Sequence, residues 1–251
     1  MFFIWCKFQG HAGHDEPPHT SIRKVPALIG NEHKFGLHAQ LDHKIEFIKR
    51  YVPDDVKIHF IGHSIGAWMV LELLKIPEIK AKTQQCYLLF PTVERMATTT
   101  NGFVFTKLIY PLWFILRYFY IILAKFPQIF QVLSLTLVFF LMSIPKYFMG
   151  TSLKYARPTV MDKVIYLANE EMKRVLELDI EHVKANKDLL KFYYGARDGW
   201  VPTKYCHQLI ERVPGIRAEI DIYNIAHAFV LSSSAEMGKL VSGWIMEHKT
   251  S

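Results

Sequence analysis

The stretch Ile58-His59-Phe60-Ile61-Gly62-His63-Ser64-Ile65-Gly66 limits what this chain can fold into more than any other segment. An apolar, strand-forming run passes directly into G-x-S-x-G. The next residues, Ala67-Trp68-Met69-Val70-Leu71-Glu72-Leu73-Leu74-Lys75, are suited to a helix. A bare five-residue pattern occurs by chance, but the same pattern between a strand and a helix carries a mechanism. Gly62 and Gly66 let the backbone turn sharply and let strand and helix approach closely, so Ser64 is held out at the tip of the turn. Ser64 then sits at the positive end of a helix, with the Ile65 N–H placed to donate to a developing oxyanion. The bland alternative is a turn serine that only caps the helix.

A serine nucleophile needs a base, and the base needs a group that orients it. With this kind of turn they follow in the order Ser, Asp or Glu, His, each on a loop after a later strand. Phe192-Tyr193-Tyr194 leaves into Gly195-Ala196-Arg197-Asp198-Gly199, which puts Asp198 just past a strand end. Ile220-Asp221-Ile222-Tyr223 is followed by Asn224-Ile225-Ala226-His227, which puts His227 in the next loop. Asp221 reads as lying inside its strand, and Asp179, Glu181 and Asp188 precede theirs, so Asp198 is preferred as the acid. His182 and His207 read as helix-surface residues and His248 as part of a terminal tail, so His227 is preferred as the base. His11, His14, His19, His33, His38 and His43 lack tight spacing with Cys or acidic partners. No metal and no cofactor is expected.

Apolar β-rich runs recur at Phe2–Trp5, Val56–Ile61, Cys86–Phe90, Leu189–Tyr194 and Ala218–Tyr223. Helical spacing marks Gly36–Tyr51, Ile65–Lys75, Thr203–Arg212 and Ser232–His248, with Ser232 as an N-cap. This alternation predicts an α/β fold with a mostly parallel sheet flanked by helices. Residues 1–95 and 187–251 read as the two parts of the core, and 96–186 as a helical insert. Cys6, Cys86 and Cys206 form no paired motif, which favours a reducing compartment. The start of the chain has no basic n-region followed by a short apolar core, so no secretory signal is expected.

Within the insert, about 103–150, two nearly continuous apolar runs stand out, Leu108–Ala124 of 17 residues and Ile129–Ile144 of 16. Both are at or below the lower limit of a bilayer span. Between Arg95 and Met161 lie seven basic residues and no acidic one, while the remaining 23 basic and 23 acidic residues cancel. The formal charge of +7 therefore sits in the most apolar third of the chain. Such a layout suits an anionic lipid surface and does not suit nucleic acid. The runs predict a hairpin embedded in one leaflet or monolayer, with Lys107, Arg117, Lys125 and Lys146 at the lipid surface. An internal lid and a true span are the alternatives.

The chain closely resembles the lipid droplet-associated hydrolase family of α/β-hydrolases. The resemblance is carried by His11-Ala12-Gly13-His14, the Ile61–Gly66 elbow, Leu88-Leu89-Phe90-Pro91-Thr92-Val93-Glu94-Arg95-Met96, Phe192–Gly195 with Asp198 and Trp200, and Ala226-His227-Ala228-Phe229. It implies a serine lipid hydrolase of sterol-ester substrate class with Ser64, Asp198 and His227 as its triad. It also implies attachment to lipid droplets and to the cytosolic side of the endoplasmic reticulum membrane. Family members look longer at the amino terminus, with three further strands and a Pro-Gly-Asn-Pro-Gly-like loop. That loop resembles the source of a second oxyanion N–H, and no counterpart precedes Met1 here. The sequence thus reads as a hydrolase core incomplete at its amino terminus, with half an oxyanion hole. Loss of one such donor costs about 10²- to 10³-fold in rate, so a catalytically weak or silent lipid-surface protein is the alternative function. Without the further strands, Val56–Ile61 would carry an open apolar edge unless Phe2–Trp5 moves into the gap.

Overall fold

The computed structural model describes residues 2–6, 26–123, 125–141, 149–150 and 158–250. Five strands, β1 (Phe2–Cys6), β2 (Ile58–His63), β3 (Thr83–Leu89), β4 (Leu190–Tyr194) and β5 (Arg217–Ile220), form one sheet in sequence order. All four pairings are parallel. β1 pairs with β2 from Phe2 opposite Ile58 to Cys6 opposite Gly62, so the amino-terminal strand covers the edge that would otherwise be open.

Side chains alternate across this sheet with the period of a strand. Ile58, Phe60, Cys86, Leu88, Phe192 and Tyr194 face one side, against α1 (Leu37–Tyr51), α2 (Ile65–Leu73) and α9 (Thr203–Arg212). Ile61, Tyr87, Leu89 and Tyr193 face the other, against α10 (Ser234–Thr250) through Met237, Val241 and Ile245. Because both faces are covered, the strands read as continuous apolar runs rather than alternating ones. Ser232 does not cap the last helix: its N–H bonds the Phe229 carbonyl in a 3₁₀ turn, and α10 begins two residues later.

Between β3 and β4 the chain builds a series of helices. α4 (Thr100–Val104), a π-helical turn over Phe105–Ile109 and α5 (Tyr110–Leu123) form one run, followed by α6 (Gln128–Leu141), α7 (Pro158–Arg174) and α8 (Ile180–Ala185); α3 itself (Pro77–Lys82) precedes β3. The first apolar helix is longer than the sequence predicts. Thr99 caps it by accepting the Gly102 N–H at 3.1 Å, and the polar residues before Leu108 join the helix although they interrupt the apolar run. The run covers Thr100–Leu123, 24 residues, none of its apolar window buried. Among the described residues it is the one helix long and apolar enough to cross a membrane by length and composition.

Two cations, Arg117 in the insert and Arg95 just before it, are half-buried and paired. Arg117 Nε donates to both oxygens of Asp162 on α7, at 2.8 and 2.9 Å, and Trp113 Nε1 donates to the same carboxylate at 3.2 Å. The carboxylate ties this cation to the body while its side chain keeps 35% of its surface exposed. Arg95, with φ at 45°, lies over the Tyr205 ring at 4.2 Å and donates to Glu94 and Gln208. Lys107 and Lys125 are exposed, and Lys146 lies outside the described residues. On α7, burial pushes the Glu171 carboxyl up to about 8, so this side chain is mostly neutral at pH 7.

Candidate active site

Strand β2 ends at His63, and Ser64 is the hinge into α2, with φ 55° and ψ −123°. A non-glycine residue in this region is strained and persists only where its surroundings over-determine it. Here the Ser64 N–H donates to the Leu89 carbonyl at 3.0 Å, and the Ser64 carbonyl accepts from Ala67 at 2.9 Å and Thr92 at 3.3 Å. Gly62 is required by close approach. A Cβ there would lie 2.7 Å from the Gly66 carbonyl oxygen and 2.8 Å from the Ala67 Cα.

The three residues singled out in the sequence meet at the carboxyl ends of β2, β4 and β5. Ser64 Oγ lies 2.9 Å from His227 Nε2, and His227 Nδ1 lies 2.6 Å from Asp198 Oδ2. The partners fix the proton positions: the carboxylate only accepts, so Nδ1–H donates to Asp198 and Nε2 is left to accept from the hydroxyl. The other Asp198 oxygen accepts the Trp200 N–H at 2.8 Å and the Val201 N–H at 3.2 Å. The Asp198 side chain is 1% exposed, so both carboxylate oxygens are engaged out of solvent. This is the geometry of a serine made nucleophilic by an oriented imidazole. Ile65 is the first residue of α2, so its N–H belongs to the amino-terminal turn that has no acceptor within the helix.

The alternatives weighed for the acid fall elsewhere. Asp221 lies just past β5, not within it, since that strand stops at Ile220. Its oxygens accept from Tyr193 Oη at 2.6 Å, the Tyr223 N–H at 3.1 Å and the Ile225 N–H at 2.6 Å. Asp179 caps α8 by accepting the His182 N–H at 3.0 Å. His182 is not a simple surface residue, because its Nε2 donates to the Leu71 carbonyl at 3.0 Å. Among the described residues no group of three or more His, Cys, Asp or Glu could hold a metal, and His11, His14 and His19 lie outside them.

The sequence profile of the family described as lipid-droplet associated hydrolase matches residues 2–230. The chain belongs to that family. A curated relative in Drosophila melanogaster, named lipid droplet-associated hydrolase, is 51% identical over 96% of this chain and 78% of its own length. Relatives of the same name in Mus musculus and Homo sapiens are 32% and 31% identical, over 97% and 96% of this chain and 75% and 74% of theirs. Two solved structures share the fold. An alpha/beta hydrolase enzyme from a Medee basin deep-sea metagenome has a TM-score of 0.56, 15% identity and coverage of 84% of this chain and 72% of its own. An alpha/beta fold family hydrolase from Bacillus anthracis has a TM-score of 0.53, 14% identity and coverage of 85% and 75%. The chain is an α/β-hydrolase in fold and a hydrolase by family.

Beside His227 this hydrolase has an aromatic cluster that reading the sequence missed. Phe90, with φ at 49°, sits one residue past β3. Its ring packs against His227 at 5.8 Å between centroids, Tyr193 at 6.0 Å and Phe229 at 5.6 Å. Gly195 is needed beneath it, since a Cβ there would lie 2.7 Å from the Phe90 ring. The insert also touches the acid loop, where the Asn101 N–H donates to the Gly199 carbonyl at 3.0 Å. A phenylalanine at a strand end and an asparagine early in a helix carry no local signal, because these contacts join segments about a hundred residues apart.

Proposed function

We propose that this hydrolase cleaves carboxylic esters of lipids through an acyl-enzyme on Ser64, at the surface of a lipid droplet or of the endoplasmic reticulum membrane. The site would face the cytosol, and the reaction would serve lipid storage and turnover. One observation carries the reading: Ser64 Oγ, His227 and Asp198 form one hydrogen-bonded line at a strained elbow. Ser64 Oγ attacks the ester carbonyl carbon while its proton passes to His227 Nε2. The oxyanion forms before the first turn of α2, where the Ile65 N–H donates to it. The tetrahedral species then expels the alcohol, which takes the proton from His227. Water, deprotonated by His227, attacks the acyl carbonyl and releases a carboxylic acid with Ser64 restored.

The lipid part of the reading is supported by the names of the relatives and by the apolar insert. Phe114, Phe119, Leu133, Leu137 and Phe140 are 58 to 80% exposed, where water offers them nothing. These side chains would enter the acyl region of a monolayer, with Lys107 and Lys125 at its rim. A sterol-ester-like substrate fits this placement, since such esters reside in lipid and not in water. The test is labelling by a fluorophosphonate probe, followed by turnover of a sterol ester presented in emulsion. Labelling of the native protein and none of Ser64→Ala is the expected result. A folded native protein that is not labelled would turn the reading to a lipid-surface protein without catalysis.

A further inference from the structure

We infer that His63, the residue before the nucleophile, is a positioning residue that straps the base to the elbow; the inference rests on the hydrolytic role of Ser64 and His227 proposed above. Its imidazole Nε2 lies 2.8 Å from the backbone carbonyl oxygen of His227. A carbonyl only accepts, so Nε2 carries the proton and donates. Neutral Nε2–H imidazole and imidazolium both make this bond, so protonation of His63 does not release it. The Nδ1–H tautomer alone would break it.

The bond matters because of what it joins. Ser64 follows His63 directly, and the accepting carbonyl belongs to the base itself. One side chain thus couples the backbone of the nucleophile to the backbone of the base, across 164 positions of sequence. The segment from Asp221 to Ala228 is a loop without strand or helix. Asp221 knits its first half through the Tyr223 and Ile225 N–H groups, and Phe229 anchors its far end in the core. His227 lies between these anchors, where the His63 bond holds its own peptide. The ring of His63 is seated for this task, 4.6 Å from the Phe229 ring centroid, edge to face, and 6.2 Å from that of Phe90. The imidazole of His227 hangs from the held peptide, so a shift of the loop moves Nε2 away from Ser64 Oγ. A misplacement near 1 Å costs about 10²-fold in rate.

The experiment compares His63→Phe, which keeps the aromatic packing without the donor, with His63→Gln, whose amide nitrogen reaches about as far as Nε2. Turnover of a short-chain p-nitrophenyl ester and the rate of fluorophosphonate labelling are measured beside the thermal midpoint, with Ser64→Ala as control. The expected result is a fall in kcat of about 10- to 100-fold for the Phe variant, with KM within about twofold and slowed labelling, and recovery to within about fivefold of native for Gln. A Phe variant as fast as native, or a Gln variant as slow as Phe, would overturn the inference. In the intact native protein, ¹⁵N imidazole spectra are expected to show His63 protonated at Nε2. An Nδ1–H tautomer overturns the inference even if the Phe variant does not fold. If Ser64→Ala retains turnover and labelling, it is the hydrolase reading that fails, a result distinct from either His63 outcome.

Discussion

The same residue type meets opposite environments in two parts of this molecule. Phe60 and Phe192 in the sheet are 0% exposed, whereas Phe119 and Phe140 in the insert are 64% and 80% exposed. In the sheet, apolar side chains bury each other and fix the ends of β2, β4 and β5 where Ser64, Asp198 and His227 meet. In the insert they are exposed on helices where, among the described residues, Arg117 pairs with Asp162. A buried phenylalanine contributes to folding; an exposed array of them is a liability in water and an anchor in lipid. Under the proposed function, the comparison separates a region assigned to chemistry from a region assigned to placing it at lipid.

The division breaks most sharply at Ser64, the proposed nucleophile. Ser64→Ala is expected to lower ester turnover by about 10⁵- to 10⁶-fold, read with a soluble p-nitrophenyl ester. Asp198→Asn, which leaves His227 without an orienting carboxylate, is expected to cost about 10⁴-fold in kcat in the same assay. On the other side of the comparison, Leu133→Asp combined with Leu137→Asp places two carboxylates on the exposed stripe of α6. At about 2.5 to 3.5 kcal/mol per charge at full depth in lipid, less nearer the interface, binding to lipid droplets measured by flotation is expected to fall at least tenfold. Unchanged flotation would remove α6 from the anchor.

Glu171 sharpens the boundary between the two regions, since α7 packs on the apolar run and on the core. Its folded pKa is raised to about 8 from 4.5, so between those values the unfolded chain releases a proton that the folded chain keeps. Stability is expected to fall as pH rises through that window. Glu171→Gln is expected to stabilise the protein at pH 7 by roughly 3 kcal/mol, from about 2.5 units at 1.36 kcal/mol each. It is also expected to flatten the thermal midpoint between pH 5 and 8. An unaltered pH slope would show that another group is responsible.

Much of this was legible along the chain. The strand, elbow and helix around Ser64 are local, and so are the two strand-to-loop exits that carry Asp198 and His227, because glycine spacing, apolar runs and turn residues act over a few positions. The apolar character of the insert was legible for the same reason, and the exposure of its large side chains agrees with the proposed lipid contact. Strand ends were less so. β2 runs on to His63 and β5 stops at Ile220, since pairing with neighbouring strands sets where a strand ends.

What the sequence determined by itself was the order of the parts: the Ser64 elbow, the apolar insert, the Asp198 loop and the His227 loop, each on its own element. Only the tertiary structure decided which atoms meet. It paired Arg117 with Asp162, and gave Asp221 to a loop instead of a strand. It also brought His63 to the His227 carbonyl and set β1 along β2. Hydrogen bonds and ring contacts act over a few ångströms between segments tens to hundreds of residues apart, so no local pattern records them.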